Sequence, residues 1–431
     1  MATMQSVGKY QLIRELGKGA TGKVYLADDP FAKRQVAIKV AFPEALKGDE
    51  DAAMYKNMFL NEAALAGKLN HPHIVQIYDA VVEDKYSYIV MEFVEGGTLE
   101  KFCKSDALLE TREVAEIIFK CVRALAFAQT LGLTHRDLKP GNILHKEGTE
   151  IKIADFGAAI NRVADRTVIT NVGSPAYMSP ELVAGTVQAS HLTDIYALGV
   201  VMYYLLAGKL PFSGANTMSV IYQIVNTDPE PPSAVREGLL PEFDAIVMKA
   251  IAKDPAKRFQ TWDEFGAALA QLWKQEAKVE EKRDETESER FQVLRSLPFF
   301  AGFPENELWQ VIKLSKWAKF KPETSLIKEG DHGDSFFILA GGYVRVTRGK
   351  KTLSVLSAGD CFGEMSYLSH KKEDQRRSAT VTANSDVIVI KIRAEDLRAA
   401  SLSCRRLFDE RFLNTLVDRL ENANKQLAVM S

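Results

Sequence analysis

The sequence predicts an α+β fold in which a small β-rich lobe and a larger helical lobe precede a β jelly-roll domain with flanking helices. Three observations predict it. The 431 residues exceed one ordinary hydrophobic core, so two or more domains are expected. Short strand-like runs give way to helical periodicity after Gly96 and Gly97. Alternating β-type runs resume beyond residues 274–290, where twelve of seventeen residues are charged.

The first part begins with short strand-like runs, and helices with apolar residues at helical spacing follow. The fourteen-residue apolar run from Ile195 to Gly208 is too short to span a bilayer and predicts a buried core helix. The predicted strands are Tyr10–Leu16, Lys23–Ala27 and Val36–Val40, and the predicted helices include Asp51–Leu69 and Glu113–Leu131.

The second part changes to a period of two, which is typical of strands in an antiparallel jelly-roll-like barrel. Its predicted strands are Ser335–Ala340, Tyr343–Thr347, Thr352–Leu356, Ala379–Ala383 and Val387–Ile392, followed by a helix over Cys404–Leu427. We therefore divide the chain into a domain over 10–273, a charged and helical linker over 274–293, a domain over 294–416 and a helical extension over 417–431.

The last helix carries a heptad-like apolar pattern. The residues at a and d spacing are Leu413, Leu416, Leu420, Ala423, Leu427 and Met430. Two to three heptads make a marginal coiled coil, so two alternatives stay open. The helix either joins two copies of the chain in a homodimer or packs on its own barrel.

Composition narrows the functional class. Apolar residues make up 46% of the chain and charged residues 26%, as in a globular protein, and the net charge of −2 argues against nucleic-acid binding. The four cysteines have no metal-ligand or disulfide spacing, which predicts a reducing compartment and a cytoplasmic location. The N-terminus lacks a signal-peptide pattern, and no membrane anchor is predicted.

Two nearby segments carry the strongest chemical signal. They are His135-Arg136-Asp137-Leu138-Lys139-Pro140-Gly141-Asn142 and Asp155-Phe156-Gly157, and Asp155 lies thirteen positions after Asn142. Asp137 is placed to orient an attacking hydroxyl and accept its proton, and Lys139 to steady the transferred phosphate. Asn142 and Asp155 are placed to hold magnesium ions. The pair of motifs therefore predicts phosphoryl transfer.

A glycine-rich segment predicts the nucleotide phosphate site. Gly17, Gly19 and Gly22 lie in Gly17-Lys18-Gly19-Ala20-Thr21-Gly22-Lys23-Val24, between two strand-like runs. A dinucleotide fingerprint would need a helix after the loop, whereas a second strand follows here and favours a phosphate-covering hairpin. Lys39 is placed to bind the α- and β-phosphates, with Glu62 as its ion-pair partner.

Residues from about Tyr10 to Trp273 resemble a complete eukaryotic-type Ser/Thr protein kinase domain, similar to the compact bacterial members. The resemblance implies a bilobal protein kinase fold, a protein Ser or Thr acceptor, and ATP and Mg²⁺ as cofactors. It places the ATP site at Gly17, Gly19, Gly22, Val24, Ala37 and Lys39, a gatekeeper at Met91, and the adenine-binding hinge at Glu92 to Val94.

The resemblance also implies a substrate loop and an anchoring ion pair. Gly173-Ser174-Pro175-Ala176-Tyr177 resembles the substrate-binding loop, in which Ser174 favours Ser or Thr acceptors. Ser179-Pro180-Glu181 resembles the motif whose glutamate pairs with an arginine, here Arg258. Thr167 and Thr170 fall in the activation loop, where each is either an autophosphorylation site gripped by Arg136 or a solvent-exposed threonine.

A second ligand site is predicted near the end of the chain. Phe362-Gly363-Glu364-Met365-Ser366 is followed by Arg377-Ser378-Ala379-Thr380-Val381, and Asp360-Cys361-Phe362-Gly363-Glu364 is expected to open a short helical segment. Amides at a helix N-terminus, a guanidinium and a carboxylate suit an anionic group beside a sugar hydroxyl. The sequence therefore predicts an anion site that also has a hydroxyl-binding group.

Residues from about Leu294 to Leu416 resemble a cyclic nucleotide-binding domain, as in protein kinase A regulatory subunits and catabolite activator protein. The resemblance assigns Glu364 to the ribose 2′-hydroxyl and Arg377 to the cyclic phosphate, with contacts from Gly363, Met365, Ser366 and Ser378. Thirteen positions separate Glu364 from Arg377, several more than is usual in that family. The domain therefore either binds cyclic AMP or cyclic GMP or serves only for packing or dimerisation.

The sequence as a whole predicts a Ser/Thr protein kinase that transfers the γ-phosphate of ATP to protein hydroxyls and is regulated in cis by a cyclic nucleotide. Two alternatives remain: an active kinase with a degenerate C-terminal module, or a non-catalytic ATP-binding scaffold. After Leu416 only fifteen residues remain, too few for a helix-turn-helix that would bind DNA.

Overall fold

The computed structural model describes residues 5–19, 22–41, 67–82, 87–156, 175–186, 188–279, 285–349, 351–368 and 376–430. The chain forms two compact units, Met1–Arg283 and Asp284–Ser431. Within the described ranges, no helix is long and apolar enough to cross a membrane.

The first lobe of the N-terminal unit is a six-stranded antiparallel sheet. Its strands are β1 (Ser6–Val7), β2 (Tyr10–Gly19), β3 (Gly22–Asp29), β4 (Arg34–Ala41), β5 (Ile77–Val82) and β6 (Ser87–Glu92). They lie in the order β1-β2-β3-β4-β6-β5. Val36, Ile38 and Val40 are buried on one face of β4, since side chains alternate along a strand. Tyr10 and Tyr88 belong to this core, with ring centroids 6.3 Å apart.

The strands predicted for this lobe are confirmed as β2, β3 and β4, each longer than its sequence pattern. The helix predicted over Asp51–Leu69 is wrong at its end, because Gly67 and Lys68 form a turn and Leu69 is not helical. Residues 51–66 of that prediction lie outside the described residues.

The second lobe is mostly helical and also contains a small three-stranded sheet. The helices are α1 (Thr111–Thr130), α2 (Pro180–Val183), α3 (His191–Ala207), α4 (Thr217–Asn226), α5 (Pro232–Val235), α6 (Pro241–Ala250) and α7 (Trp262–Val279). The sheet consists of β7 (Gly97–Thr98), β8 (Ile143–His145) and β9 (Ile151–Ile153) in that order. Short 3₁₀ helices cover Leu99–Phe102, Pro140–Asn142, Pro175–Tyr177 and Pro255–Lys257.

Helix α3 confirms the predicted buried core helix. Ser190 caps its start, and the backbone amide of Leu192 donates to the Ser190 hydroxyl. Gly208 ends it in the left-handed conformation, at a φ of 70° that favours glycine. Most residues between these ends are buried, so α3 forms the centre of the helical lobe.

The C-terminal unit is a jelly roll of two four-stranded sheets, as predicted. Its strands are β10 (Ser315–Phe320), β11 (Ser325–Ile327), β12 (Ser335–Gly341), β13 (Val344–Arg348), β14 (Lys351–Leu356), β15 (Cys361–Phe362), β16 (Thr380–Ala383) and β17 (Val387–Arg393). One sheet has the order β10-β17-β12-β15 and the other β11-β16-β13-β14. Its helices are α8 (Glu287–Ser296), α9 (Glu305–Leu314), α10 (Met365–Leu368), α11 (Ala394–Ala399) and α12 (Leu402–Met430), and a 3₁₀ helix covers Pro298–Phe300.

Aromatic side chains join the first half of α12 to the barrel. Phe408 and Phe412 are fully buried, and both lie against Phe299 and Phe336 with ring centroids 5.0–5.9 Å apart. Aromatic pairs of this kind stabilise a contact beyond the area that they bury. The first half of this helix therefore packs on its own barrel, one of the two alternatives left open by its heptad pattern.

The middle of α12 has a different surface. Leu413, Val417 and Leu420 expose 47–63% of their surface and lie on one face, because residues three and four apart are neighbours on a helix.

The predicted charged linker is helical at both described ends, up to Val279 and from Glu287. It is less solvated than its composition suggests, because Ser288 is fully buried.

All four cysteines of the chain are buried and free. Burial raises the thiol pKa to about 12 in Cys103, Cys361 and Cys404. It also raises the thiol pKa of Cys121. Buried thiols of this kind are chemically inert near neutral pH.

Candidate active site and second ligand pocket

Asp194 on α3 anchors the loop that carries Asp137. The backbone amides of His135 and Arg136 donate to the two carboxylate oxygens of Asp194, at 2.7 and 2.9 Å. Burial raises the pKa of Asp194, although both amides and the His135 ring act in the opposite direction. Arg136 has a φ of 70°, a strained conformation for a residue with a side chain, and these two bonds help to hold it.

Three predicted catalytic residues meet at the Asp137 carboxylate. Lys139 Nζ lies 2.7 Å from Asp137 Oδ2. Asn142 Nδ2 donates to the same oxygen at 2.9 Å and to the Asp137 carbonyl at 2.7 Å. The short 3₁₀ helix Pro140–Asn142 returns the chain to Asp137, so six consecutive residues contribute to one cluster.

Asp155 is tied to this cluster through the backbone. The amide of Ala154 donates to the carbonyl of Asn142 at 2.8 Å, and Asp155 itself has a φ of 64°. Lys39 Nζ lies 2.5 Å from Asp155 Oδ1. Burial raises the pKa of Asp155, but the Lys39 ammonium outweighs it and brings the pKa below its ordinary value. The lysine of the first lobe and the acid of the second lobe thus form one charged pair.

The donor set here suits magnesium. Asn142 uses its amide nitrogen on Asp137, which leaves its amide oxygen as an acceptor. Asp155 Oδ2 is not part of the ion pair with Lys39. Amide and carboxylate oxygens are the ligands that Mg²⁺ prefers, so both side chains fit the ion that the sequence predicts for them.

The glycine-rich segment forms a hairpin between β2 and β3. Gly17 pairs with Val24 and Gly19 with Gly22 across β2 and β3, while Ala20 and Thr21 lie outside the described residues. A side chain on Gly17 would meet no atom within 4 Å, so the space beside this backbone is open. Such an opening lets a phosphate approach main-chain amides.

The residues assigned to the adenine site lie on neighbouring strands. Ala37 pairs with Met91 across β4 and β6, and Val24 of β3 pairs with Lys39 of β4. Val94 follows β6. The Glu92 carboxylate faces Lys152, at 2.9 Å from Nζ, so Glu92 offers a hinge ligand only its backbone.

Glu181 and Arg258 form the ion pair that the sequence predicts. Both terminal nitrogens of Arg258 contact the Glu181 carboxylate at 2.7 Å, and the Arg258 side chain is fully buried. The predicted residues Glu62, Thr167, Thr170 and Ser174 lie outside the described residues.

The C-terminal unit contains a cavity of about 240 Å³ at the predicted anion site. Its lining includes five of the six predicted residues, Gly363, Glu364, Met365, Arg377 and Ser378. The helix expected to open at Asp360 begins later, as α10 at Met365, because Cys361 and Phe362 form β15 and pair with β12. Ser366 lies in α10. Residues 369–375 of the long insertion lie outside the described residues.

The Arg377 guanidinium lies close to Gly333 and Gly363. Its guanidinium donates to the carbonyls of Gly363 at 3.1 Å and Ser335 at 2.7 Å. A Cβ on Gly333 would lie 2.0 Å from Arg377 Cζ, so only glycine leaves room there for this arginine. Burial lowers the pKa of Arg377, and Asp334 and Glu364 partly restore it.

Glu364 has a partner that the sequence motifs do not indicate. Its side chain is 6% exposed, and Arg419 Nη1 of helix α12 lies 2.8 Å from its Oε1. Arg419 also donates to the carbonyl of Cys361 and lines the cavity. Helix α12 therefore contributes a cation to the pocket. No local signal marks this residue, because it lies 55 positions from Glu364.

Comparison with known proteins agrees with the first site. A family model described as "Protein kinase domain" matches residues 10–273, more than half of the chain. The chain belongs to the protein kinase domain family. A second model, "Cyclic nucleotide-binding domain", matches residues 317–403 of the C-terminal unit.

Two similar curated proteins are bacterial kinases. This chain is 38% identical over 272 residues to serine/threonine-protein kinase PknB of Mycobacterium leprae. The alignment covers 61% of this chain and 43% of that protein. The chain is also 38% identical over 266 residues to serine/threonine-protein kinase PrkC of Bacillus subtilis, covering 61% of this chain and 40% of that protein. The alignments thus span less than half the length of these two relatives.

Proposed function

We propose that the chain is a Ser/Thr protein kinase that transfers the γ-phosphate of ATP to hydroxyl groups of proteins. The observation that carries the proposal is the cluster of Asp137, Lys139 and Asn142, joined through Ala154 to Asp155 and from there to Lys39. The names of its relatives support the Ser/Thr acceptor class.

Each residue of the cluster has a task in the proposed reaction. The Asp137 carboxylate accepts the hydroxyl proton of the acceptor, and Lys139, with Nζ 2.7 Å from Asp137 Oδ2, compensates charge on the transferred phosphoryl group. Lys39 would pair with the α- and β-phosphates of bound ATP, and Asn142 and Asp155 would hold magnesium. Magnesium, when bound, supplies the positive charge that neutralises the phosphates.

We further propose that the C-terminal unit binds a cyclic nucleotide, either cyclic AMP or cyclic GMP, and so regulates the kinase in cis. Glu364 would accept a hydrogen bond from the ribose 2′-hydroxyl, and Arg377 would bind the cyclic phosphate with the nitrogen hydrogens not used on carbonyls. The cavity of about 240 Å³ with one carboxylate and several arginines supports this proposal.

Regulation requires that nucleotide affinity differ between two states of the chain. The ion pair between Glu364 and Arg419 supplies such a difference, because a ribose hydroxyl at Glu364 competes with Arg419. Helix α12 thereby becomes sensitive to the ligand. A homodimer through the exposed residues Leu413, Val417 and Leu420 of the same helix, and a cytoplasmic location, belong to this proposal.

The test is protein phosphorylation and autophosphorylation from labelled ATP, with and without each cyclic nucleotide. Asp137→Asn and Arg377→Ala are the control variants. Activity that needs Asp137 and responds to nucleotide only when Arg377 is present supports both halves. Activity that needs Asp137 but responds to neither nucleotide supports the kinase proposal and contradicts the proposal of a cyclic nucleotide sensor. ATP binding without transfer to any protein would favour a non-catalytic scaffold.

A further inference from the structure

A carboxylate of the helical lobe lies against the catalytic loop. Glu100 belongs to the 3₁₀ helix Leu99–Phe102, which follows β7 and packs against the 3₁₀ helix Pro140–Asn142. A Cβ built on Gly141 would lie 2.9 Å from Glu100 Oε1 and 3.7 Å from Oε2. The missing side chain at Gly141 therefore leaves the space that this carboxylate occupies.

The position of Gly141 ties Glu100 to the reaction centre. Asn142 contacts the Asp137 carboxylate at 2.9 Å, and Gly141 is its chain neighbour. The path from the Asp137 carboxylate to the Glu100 carboxylate runs through the Asn142 side chain, the step between the Cα atoms of Asn142 and Gly141, and the contact at Gly141. Its length is at most about 15 Å. An extended peptide covers about 3.3 Å per residue, so this distance corresponds to at most about four residues of substrate.

Glu100 also lies near the end of the predicted substrate loop. Burial raises the pKa of the Tyr177 phenol, and the charge of Glu100 adds to that rise. Tyr177 belongs to the 3₁₀ helix Pro175–Tyr177. Glu100 therefore lies near both the catalytic loop and the end of the predicted substrate loop, the two parts of the chain between which a protein substrate would pass.

The carboxylate is available for a partner. Glu100 is exposed, and across the described residues it makes no hydrogen bond or ion pair through its side chain. The neighbouring Lys101 directs its ammonium to the ring of Phe102, 4.6 Å from the centroid. A negative charge beside the peptide path thus lacks a counter-ion among the described residues.

We propose that Glu100 selects protein substrates that carry an arginine or lysine within four positions of the phosphorylated Ser or Thr. The inference rests on the proposed kinase function and adds a substrate class to it. Arginine suits the site better than lysine, since its planar guanidinium bonds both oxygens of a carboxylate. A basic residue at the matching position gains an ion pair, and a glutamate there is repelled.

The experiment uses the full chain and a set of peptides with one threonine in an alanine and glycine background. Arginine is placed in turn at each position from −4 to +4 around the threonine, a second series carries glutamate at the same positions, and one peptide carries neither. Glu100→Gln keeps the shape of the side chain and removes its charge, and Glu100→Lys reverses the charge. Glu147→Gln is the matched control, because Glu147 is an exposed glutamate in the turn after β8.

We expect arginine at one or two positions to lower KM by about two- to fivefold with kcat little changed, the range of an exposed ion pair. Glu100→Gln removes this preference, Glu100→Lys transfers it to glutamate at the same position, and Glu147→Gln retains it. Equal KM for all peptides, or a preference that survives Glu100→Gln, overturns the subsite and leaves the kinase intact. Absence of transfer both to peptides and to the chain itself overturns the kinase proposal and the subsite together.

Discussion

We expect Arg258→Met to lower the free energy of unfolding of the N-terminal unit by about 4 kcal/mol. Arg258 bonds both oxygens of Glu181 at 2.7 Å. It also donates to the carbonyls of Ala252, Leu192 and Lys253 at 2.8–3.2 Å. Removing one member of a buried ion pair costs about 3–5 kcal/mol, because the other charge stays buried without its partner.

The assay is urea unfolding of the full chain followed by tryptophan fluorescence. The chain has four tryptophans, so the changes Trp309→Phe and Trp317→Phe leave Trp262 and Trp273 as reporters of the N-terminal unit alone. Lys257→Ala is the matched control, since Lys257 is the exposed neighbour of Arg258. Its effect should stay within about 0.5 kcal/mol.

A second variant and the pH separate the ion pair from general packing damage. Burial raises the pKa of Glu181, but Arg258 brings it below its ordinary value of 4.5. The pair therefore contributes stability that is present above pH 4.5 and is lost as the pH falls through the folded pKa. The deficit of Arg258→Met should shrink at acidic pH, and Glu181→Gln combined with it should cost less than the two changes added. A deficit under about 1 kcal/mol at pH 7 refutes the reasoning.

Three further predictions concern other sites. Burial lowers the pKa of His71 from 6.5 to about 3, so its contribution to stability is present above pH 6.5 and is lost as the pH falls toward 3. From pH 7 to pH 5, urea unfolding should show a loss of about 2 kcal/mol that is absent in His71→Phe. Arg419→Gln should destabilise the C-terminal unit by about 1–2 kcal/mol in calorimetry, a range below that of a fully buried pair because Arg419 is partly exposed. Glu364→Gln in the same chain should recover most of this loss, and no recovery would contradict the pairing. Gly363→Ala adds a Cβ 2.6 Å from Arg377 Nη1 at a φ of 76°, so cyclic nucleotide binding by calorimetry should fall at least tenfold, and an unchanged affinity would contradict this role for Gly363.

The sequence predicts the fold best where one local signal determines the structure. The alternating runs of β12, β13 and β17 and the buried helix α3 are of this kind. Strand β10 was not predicted, because it is a short, lysine-bearing edge strand. It pairs with β17, so its partner lies about seventy residues later in the chain. Such a strand is defined by its partner rather than by its own composition.

The same distinction applies to the sites. Asp137, Lys139 and Asn142 lie within six residues, so their spacing alone predicts that they meet. The contact of Arg419 with Glu364 depends on where the last helix packs, which aromatic residues far apart in the chain decide. The Lys39 contact with Asp155 likewise requires both lobes. Local motifs identify these residues one by one, and tertiary packing decides which of them touch.

The state of the cysteines makes the chain suitable for site-specific labelling. With a thiol pKa near 12, only on the order of one molecule in 10⁵ carries a thiolate at pH 7. One new cysteine on the surface of each unit would therefore react with a dye far faster than the native thiols. A pair of dyes placed in this way would report in solution how the distance between the two units responds to ATP and to cyclic nucleotides, without removal of any native residue.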